Sequence, residues 1–134
     1  MSELKVRWGW LKFMYIYTIV GAGASGLGVL LAPKAACAAL GWPRQDPVVL
    51  GIVGSVYVAF AVVSAFALRS PLKFSPVLVV QLAYKTIWLV GVVLPLLATG
   101  RLPAHAILLL AVYLTYIVGG LIAIPFGYVF GREA

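Results

Sequence analysis

The sequence predicts an all-α protein, an integral membrane bundle of four transmembrane helices that occupies 1–134 as one domain. Composition is the first observation: 64% of the 134 residues are hydrophobic, only 10% are charged, and the mean hydropathy is +1.12. A soluble domain of this length would need much more polar surface. Second, four apolar runs approach or exceed the roughly 20 residues that cross a bilayer core. Third, the runs are joined by short loops, which favours antiparallel neighbours.

The four runs cover about 11–31, 47–68, 76–98 and 103–128. The first follows a basic N-terminal segment, but it is too long for the apolar region of a signal peptide and no small-residue cleavage site closes it. We therefore expect it to be retained as a span. Between the first two runs, 33–40 is predicted to be a short interfacial helix that ends at Gly41 and is anchored by Trp42.

Prolines and capping residues mark where the spans begin and bend. Asp46 and Ser75 each precede a proline, which predicts a side-chain N-cap followed by proline at the first helical position. Pro103 is expected to open the fourth helix in the same way. Pro95 and Pro125 lie inside the third and fourth runs, so we expect them to kink those helices near their ends.

Lysine and arginine are unequally shared between the two ends of the predicted bundle. Six would lie on the side of the N-terminus and three on the other, and cytoplasmic loops carry the excess of such residues, so both termini are predicted to be cytoplasmic. The net charge of +7 comes mostly from single residues in the hinges, which favours anionic lipid headgroups over nucleic acid as the partner. The two sets are Lys5, Arg7, Lys12, Arg69, Lys73 and Arg132, against Lys34, Arg44 and Arg101.

The segment 21–28, GAGASGLG, matches the G-x-G-x-x-G pattern of dinucleotide-binding proteins. That pattern needs a strand-to-helix turn within a βαβ unit, and no second strand follows. Small residues four apart instead predict close packing of helices in lipid. The predicted packing residues are Gly21, Ser25 and Gly28, with the pairs Ala22/Gly26 and Ala24/Gly28, on the first span; Gly51 and Ser55 on the second; and Gly119, Ala123 and Gly127, joined by Gly120, on the fourth.

Lys85 is the residue that most needs an explanation. It lies nine residues into the third run, near the middle of the bilayer, where a charged lysine costs about 2.5–3.5 kcal/mol on insertion scales. The three acids of the chain, Glu3, Asp46 and Glu133, all lie outside or at the edge of the runs. Either tyrosine hydroxyls and backbone carbonyls hold Lys85 or desolvation neutralises it, or its anion comes from a ligand or a partner subunit.

Several side chains are predicted to share the helical face or the depth of Lys85 and to form a candidate ligand site with it. Gln81 and Trp88 lie one turn before and one turn after Lys85 on the same face, which should turn into the bundle. The predicted ligand-binding residues are Lys85, Gln81, Tyr84, Trp88, Tyr57, Tyr113 and Tyr116.

No catalytic residue, metal site or cofactor is predicted. Proton-coupled transport generally needs an intramembrane carboxylate, which the sequence lacks. His105 is the only histidine and is interpreted as an interfacial residue at the start of the fourth run. Cys37 is the only cysteine and is interpreted as a small apolar residue. The chemistry of a catalytic triad or a haem with two histidine ligands is therefore unsupported.

Two segments, QLAYKTIWL at 81–89 and GLIAIPF at 120–126, resemble parts of small bacterial four-helix membrane proteins, broadly DoxX-like. The resemblance implies a four-helix bundle in the bacterial inner membrane. Some DoxX-like proteins are associated with membrane redox systems, so it also permits an accessory role. No catalytic residues carry over from it.

The favoured hypothesis is a non-catalytic membrane module, either an accessory subunit beside a membrane protein partner or a homo-oligomer. The face of Lys85 would then be available to an anionic or quinone-like ligand. One alternative is a small transporter or channel whose pore forms between protomers and uses Lys85 to attract anions. Another is a membrane enzyme that acts on lipid, which would need acids and bases that the chain lacks.

Overall fold

The computed structural model describes residues 6–132, and within them the chain forms helices and short loops with no strand. Lys5, which contributes to the predicted charge asymmetry, lies outside the described residues. We number the helices α1 to α6 in chain order. Their bounds are Trp8–Leu31 (α1), Pro33–Leu40 (α2), Pro47–Ala67 (α3), Pro76–Ala98 (α4), His105–Ala123 (α5) and Phe126–Val129 (α6).

Four of these helices, α1, α3, α4 and α5, are long and apolar enough to cross a membrane. Their number and arrangement fit the predicted membrane bundle. Many of their large apolar side chains remain exposed on the outside of the bundle, including Leu31, Val48 and Ile87 at 80%, 72% and 70%. Such an exterior would be costly in water and suits a hydrocarbon solvent.

Two long-range hydrogen bonds fix which helix ends lie together. The Tyr15 hydroxyl donates to the Pro71 carbonyl over 2.6 Å and ties α1 to the loop between α3 and α4. The Arg7 guanidinium donates to the Ile122 carbonyl over 3.1 Å and ties the start of α1 to the end of α5. We call this end of the bundle the basic end; α2 and Trp42 lie at the opposite end, where Trp42 packs near Cys37.

The helix boundaries follow the predicted chemistry at some positions and depart from it at others. Asp46 caps α3 as predicted, with its carboxylate accepting from the Val49 N–H over 3.2 Å. Gly41 ends α2 as predicted, at φ 72° in the left-handed region that favours glycine. Ser75 precedes α4, but the predicted side-chain cap is wrong. Its hydroxyl donates to the Leu72 carbonyl over 2.7 Å because Ser75 is already helical and faces the preceding turn.

The predicted roles of the prolines in the third and fourth runs need correction. Pro103 does not open α5, which begins at His105, because the carbonyl of Pro103 accepts only a turn bond from Ala106. Pro125 ends α5 instead of kinking it: Ile124 is extended at ψ 126°, as the residue before a proline prefers. The helix therefore stops at Ala123 rather than continuing to 128, and the Arg7 bond to Ile122 uses a carbonyl near this break.

Pro95 is preceded by a π-helical segment over Leu89–Val93. A proline inside a helix has no N–H to donate and crowds the carbonyl four residues before it. Here the backbone hydrogen bonds span one more residue than in an α-helix, and the Leu94 N–H donates to the Leu89 carbonyl, five residues back. Where a kink at Pro95 is predicted, the structure shows a wider helical turn that begins directly after Trp88.

The pattern GAGASGLG lies inside one continuous helix, which confirms that 21–28 is not a nucleotide-binding turn. Its small residues face different neighbours. Gly26 packs on α3, where a Cβ would lie 2.8 Å from the Gly54 carbonyl oxygen and 2.9 Å from Tyr57 Cβ. Gly21 faces the Tyr116 hydroxyl of α5, and Gly28 faces α2. The close approach of α1 to α3 therefore depends on Gly26, and its pair Ala22 is buried beside Tyr57.

The packing predicted for α3 and for the end of the fourth run is partly wrong. On α3, Gly51 has open space around it and Ser55 is exposed, because the face towards α1 carries Gly54 instead. On α5, Gly119 packs against Met14 and Ala123 is buried, as predicted.

Gly127 also departs from the predicted packing. It lies in α6, exposed and with open space around it. The break at Pro125 removes it from the register that it would share with the residues of α5.

Adding a side chain at Gly26 tests the packing of α1 on α3. In Gly26→Ala the added Cβ forces the two helix backbones apart, so we predict that the free energy of unfolding falls by about 1–3 kcal/mol. Gly51→Ala is the matched control, because it brings the same gain in helix propensity into open space. Unfolding in mixed detergent–SDS micelles, followed by circular dichroism, measures both. Equal midpoints for the two variants would contradict the packing.

Candidate functional site

Lys85 is buried in the middle of the bundle, with 2% of its surface exposed. It lies nine residues after the start of α4, which is about 13 Å along the helix at a rise of 1.5 Å per residue. Tyr57 and Tyr113 lie at similar depths in α3 and α5. The described portion of the chain thus places its one mid-helix charge inside the bundle, as the cost of exposing it to lipid requires.

Three tyrosine rings surround the Lys85 ammonium. Its Nζ atom lies 3.8 Å from the ring centroid of Tyr116, 4.8 Å from that of Tyr113 and 5.0 Å from that of Tyr84. A cation within about 6 Å of an aromatic face is attracted by the ring quadrupole, by about 2 kcal/mol when desolvated. These rings therefore stabilise the charge, but they supply no full negative charge and no oxygen anion.

The hydroxyls of the tyrosines near Lys85 form hydrogen bonds with one another, with a threonine or with the backbone. Tyr57 and Tyr113 share a hydrogen bond between their hydroxyl groups. The Tyr116 hydroxyl donates to the Tyr17 carbonyl over 3.1 Å, and the two rings stack with centroids 4.2 Å apart. The Tyr17 hydroxyl is 2.6 Å from Thr115 Oγ1. This network holds the rings around Lys85 in place from α1, α3 and α5.

Gln81 and Trp88 belong to the surroundings of Lys85 rather than to the cavity beside it. The Gln81 amide donates to Thr18 Oγ1 over 3.2 Å and joins α4 to α1. Trp88 packs edge-on against Tyr113, with ring centroids 5.0 Å apart. Both are predicted to bind a ligand with Lys85. In the structure Gln81 does not line the cavity beside Lys85, and Trp88 lies behind Tyr113 along an adjoining groove.

A cavity of about 300 Å³, which we call the Lys85 cavity, lies between α1 and α5 with Lys85 at its inner wall. Its volume is at the lower end of the range of about 300–1,000 Å³ for small-molecule sites. Tyr84 also lines it from α4, and the side towards the opposite end of the bundle is formed by Leu40 and Trp42. The predicted residues Tyr57, Tyr113 and Tyr116 line the cavity as well.

The half of the bundle towards the basic end is tightly packed. A cluster of buried side chains fills it, and each of them is at most 5% exposed. No continuation of the Lys85 cavity passes through them. The members of this cluster are Leu11, Met14, Tyr15, Ala67, Leu78, Tyr116, Ala123 and Ile124.

Sequence reasoning missed several cavity-lining residues. Tyr17 is not among the predicted ligand-binding residues, and Gly21 and Ser25 are predicted only as packing residues, yet all three line the cavity. Gly21 matters because a Cβ there would collide with the Tyr116 hydroxyl. The only sequence feature that could have linked Tyr17, Gly21 and Ser25 is their spacing of four, which places them on one face of α1.

No carboxylate, histidine or cysteine lines the Lys85 cavity among the described residues. Between residues 6 and 132 the only acid is Asp46, and its carboxylate caps α3. Glu3 and Glu133 lie outside the described residues. No set of three or more histidine, cysteine or acidic side chains comes together among the residues described. His105 borders a separate groove, and Cys37 is buried with Leu50 near the opposite end.

The arrangement is suited to binding an oxygen acceptor. An ammonium has three N–H donors and no acceptor, and aromatic faces neutralise its charge only in part. The π-helical turn that follows Trp88 lies one turn beyond Lys85, and such turns are frequent at functional sites. Comparison of the chain with protein-family models, with curated proteins and with solved structures finds no match. The interpretation of the site therefore depends on its geometry.

If Lys85 is present to bind a ligand, its burial should lower the free energy of unfolding of the ligand-free protein. The insertion cost of about 2.5–3.5 kcal/mol exceeds the roughly 2 kcal/mol that cation–π attraction returns. We predict that Lys85→Met raises the free energy of unfolding by about 1 kcal/mol in lipid-free micelles. Lys73→Met, at an exposed position of the basic end, should change it by less than about 0.5 kcal/mol. A loss of stability in Lys85→Met would instead mean that the lysine holds the fold together.

Proposed function

We propose that this chain is a non-catalytic integral membrane module that holds a ligand at Lys85 through an anionic or quinone-like oxygen. The observation that carries the proposal is the buried amine of Lys85, which faces a cavity, is surrounded by tyrosine rings and is contacted by no carboxylate of the described residues. A buried charge without a partner is costly, and a ligand oxygen would supply the missing acceptor.

The same proposal places the four long helices across a bilayer with both termini in the cytoplasm. Five basic residues of the described chain lie at the basic end, namely Arg7, Lys12, Arg69, Lys73 and Arg132, against three at the opposite end. The excess favours the basic end as the cytoplasmic side, beside anionic headgroups. The bacterial inner membrane is proposed from the DoxX-like resemblance alone. A partner subunit or a second copy of the chain would bind the exposed apolar exterior.

Binding is favoured over conduction by the packing of the basic half. Ions crossing a single bundle would have to pass Leu11, Met14 and Leu78, which are all but fully buried. A pore between protomers would need Lys85 on the outer surface, whereas it faces its own bundle. A lipid enzyme would most simply use a histidine or a carboxylate as its acid or base, and none of the described residues that line the Lys85 cavity is of these types. The channel hypothesis therefore predicts Lys85-dependent anion flux in liposomes, and the binding hypothesis predicts none.

Co-purification tests the ligand site directly. Wild type and Lys85→Met are extracted from native membranes into polymer-bounded lipid discs, and bound small molecules are identified by mass spectrometry. We predict one species near equimolar amounts with the wild type that falls at least tenfold in Lys85→Met. The missing donor removes its anchor, whereas Lys73→Met should retain the species. Identical extracts from the wild type and Lys85→Met would contradict the site.

Labelling with a membrane-impermeant maleimide tests the orientation. In a Cys37→Ala background, Gln45→Cys lies at the opposite end and Ser70→Cys at the basic end, and both side chains reach the surface. We predict that intact cells are labelled at position 45 and that position 70 is labelled only after permeabilisation, because the basic end is retained inside. The reverse pattern would show that the termini are outside.

A further inference from the structure

Building on the proposed ligand site, we propose that the Lys85 cavity binds a lipid anion, an anionic oxygen headgroup on a single alkyl chain, which enters sideways from the bilayer between α1 and α5. This inference names the class of ligand and its route. It depends on where the cavity opens, on how polarity changes along it and on how much it can hold.

The cavity reaches the outer surface of the bundle between α1 and α5. Leu108 and Val112 line it from α5, yet they are 54% and 37% exposed. On the facing side of α1, Gly21 and Ser25 line it and are partly exposed. We call the gap between these four residues the α1–α5 opening. Within a bilayer the opening would face hydrocarbon, so a ligand dissolved in the membrane could reach it without crossing water.

The absence of a side chain at Gly21 lets Tyr116 of α5 lie against the backbone of α1, beside the α1–α5 opening. A Cβ on this residue would collide with the Tyr116 hydroxyl, which is bonded to the Tyr17 carbonyl. Tyr116 therefore lies against bare helix backbone, and its ring faces the Lys85 ammonium 3.8 Å away. The route between the two helices consequently leads from exposed aliphatic side chains directly to the charge.

Polarity changes along the cavity as it does along an amphiphile. At the inner end lie the Lys85 ammonium and the hydroxyls of Tyr57 and Tyr113. At the α1–α5 opening the α5 side of the lining is aliphatic, with Leu109 and Val112. A small hydrated anion would have to shed its water to pass these residues. An anion carried on an alkyl chain leaves only its headgroup to desolvate, and its chain gains contact with the aliphatic lining.

The volume limits how much of the ligand fits inside. About 300 Å³ is roughly ten times the volume of one water molecule in the liquid, which suits a headgroup and the first part of one chain. The rest of the chain would extend through the α1–α5 opening into the bilayer. A fatty carboxylate and the phosphate of a one-chain phospholipid offer the same chemistry to Lys85, and the experiment separates them.

Equilibrium binding to the full chain in phosphatidylcholine nanodiscs tests this inference with radiolabelled palmitate and lysophosphatidic acid as probes. We expect saturable binding of at least one of them at one molecule per chain. Hexadecanol and acetate should fail to compete, since the first lacks the charge and the second lacks the chain. The better of the two probes identifies the source of the anion. If acetate competes as well as palmitate, or if neither probe binds, the inference is wrong.

Two variants with matched controls locate the site. Lys85→Met should weaken binding at least tenfold and Lys73→Met should not. Val112→Trp puts an indole into the α1–α5 opening and should also weaken binding tenfold, whereas Leu114→Trp, on the exposed surface away from the cavity, should leave it unchanged. Val112 is partly exposed, so its variant is expected to fold. Full palmitate binding by Val112→Trp would overturn the lateral route.

The two levels of proposal fail in different ways. If neither probe binds but another species still co-purifies in a Lys85-dependent manner, the ligand site stands and the lipid-anion inference falls. If the probes bind equally well to the wild type and to Lys85→Met, and no co-purifying species depends on Lys85, both fall.

Discussion

The central constraint on this structure is that a lysine ammonium in the middle of an apolar bundle must be kept out of hydrocarbon. The chain meets it with aromatic rings instead of an acid: Tyr84, Tyr113 and Tyr116 lie within about 5 Å of Lys85 Nζ. The Tyr113 hydroxyl bonds to that of Tyr57 and the Tyr116 hydroxyl to the Tyr17 carbonyl, so the arrangement around one residue of α4 joins α5 to α3 and to α1.

This solution differs from a buried ion pair in its consequences. An acid on a neighbouring helix would form an ion pair with Lys85 and occupy its N–H donors. Tyrosine rings lower the free-energy cost of burying the charge but leave those donors without an anion. Because the basic half is packed and the side between α1 and α5 is open, a ligand oxygen would reach Lys85 from that side. Small residues allow two close contacts of α1, since Gly26 brings it onto α3 and Gly21 lets the Tyr116 hydroxyl lie against its backbone.

The sequence allowed the four apolar helices, the short helix α2, the Asp46 cap and the burial of Lys85 to be predicted, because each depends on local composition or on a single expensive charge. The sequence did not show whether each proline would begin, distort or end its helix. Pro125 ends α5, so Gly127 does not pack with Gly119 and Ala123, and the Ser75 hydroxyl bonds to the preceding turn. Such outcomes depend on which carbonyls find other donors, as Ile122 does with Arg7, 115 residues away in the chain.

The amino-acid sequence by itself determined that the protein is all-helical, that four helices are apolar enough for a membrane, and that Lys85 lacks an acid within its own spans. Only the tertiary structure decided which aromatic residues meet that lysine and that Gln81 is used instead to join α4 to α1. The physical reason is that hydropathy acts on each helix independently of its neighbours. The rotation of each helix, and therefore the shape and the opening of the cavity, is set by contacts between residues far apart in the chain.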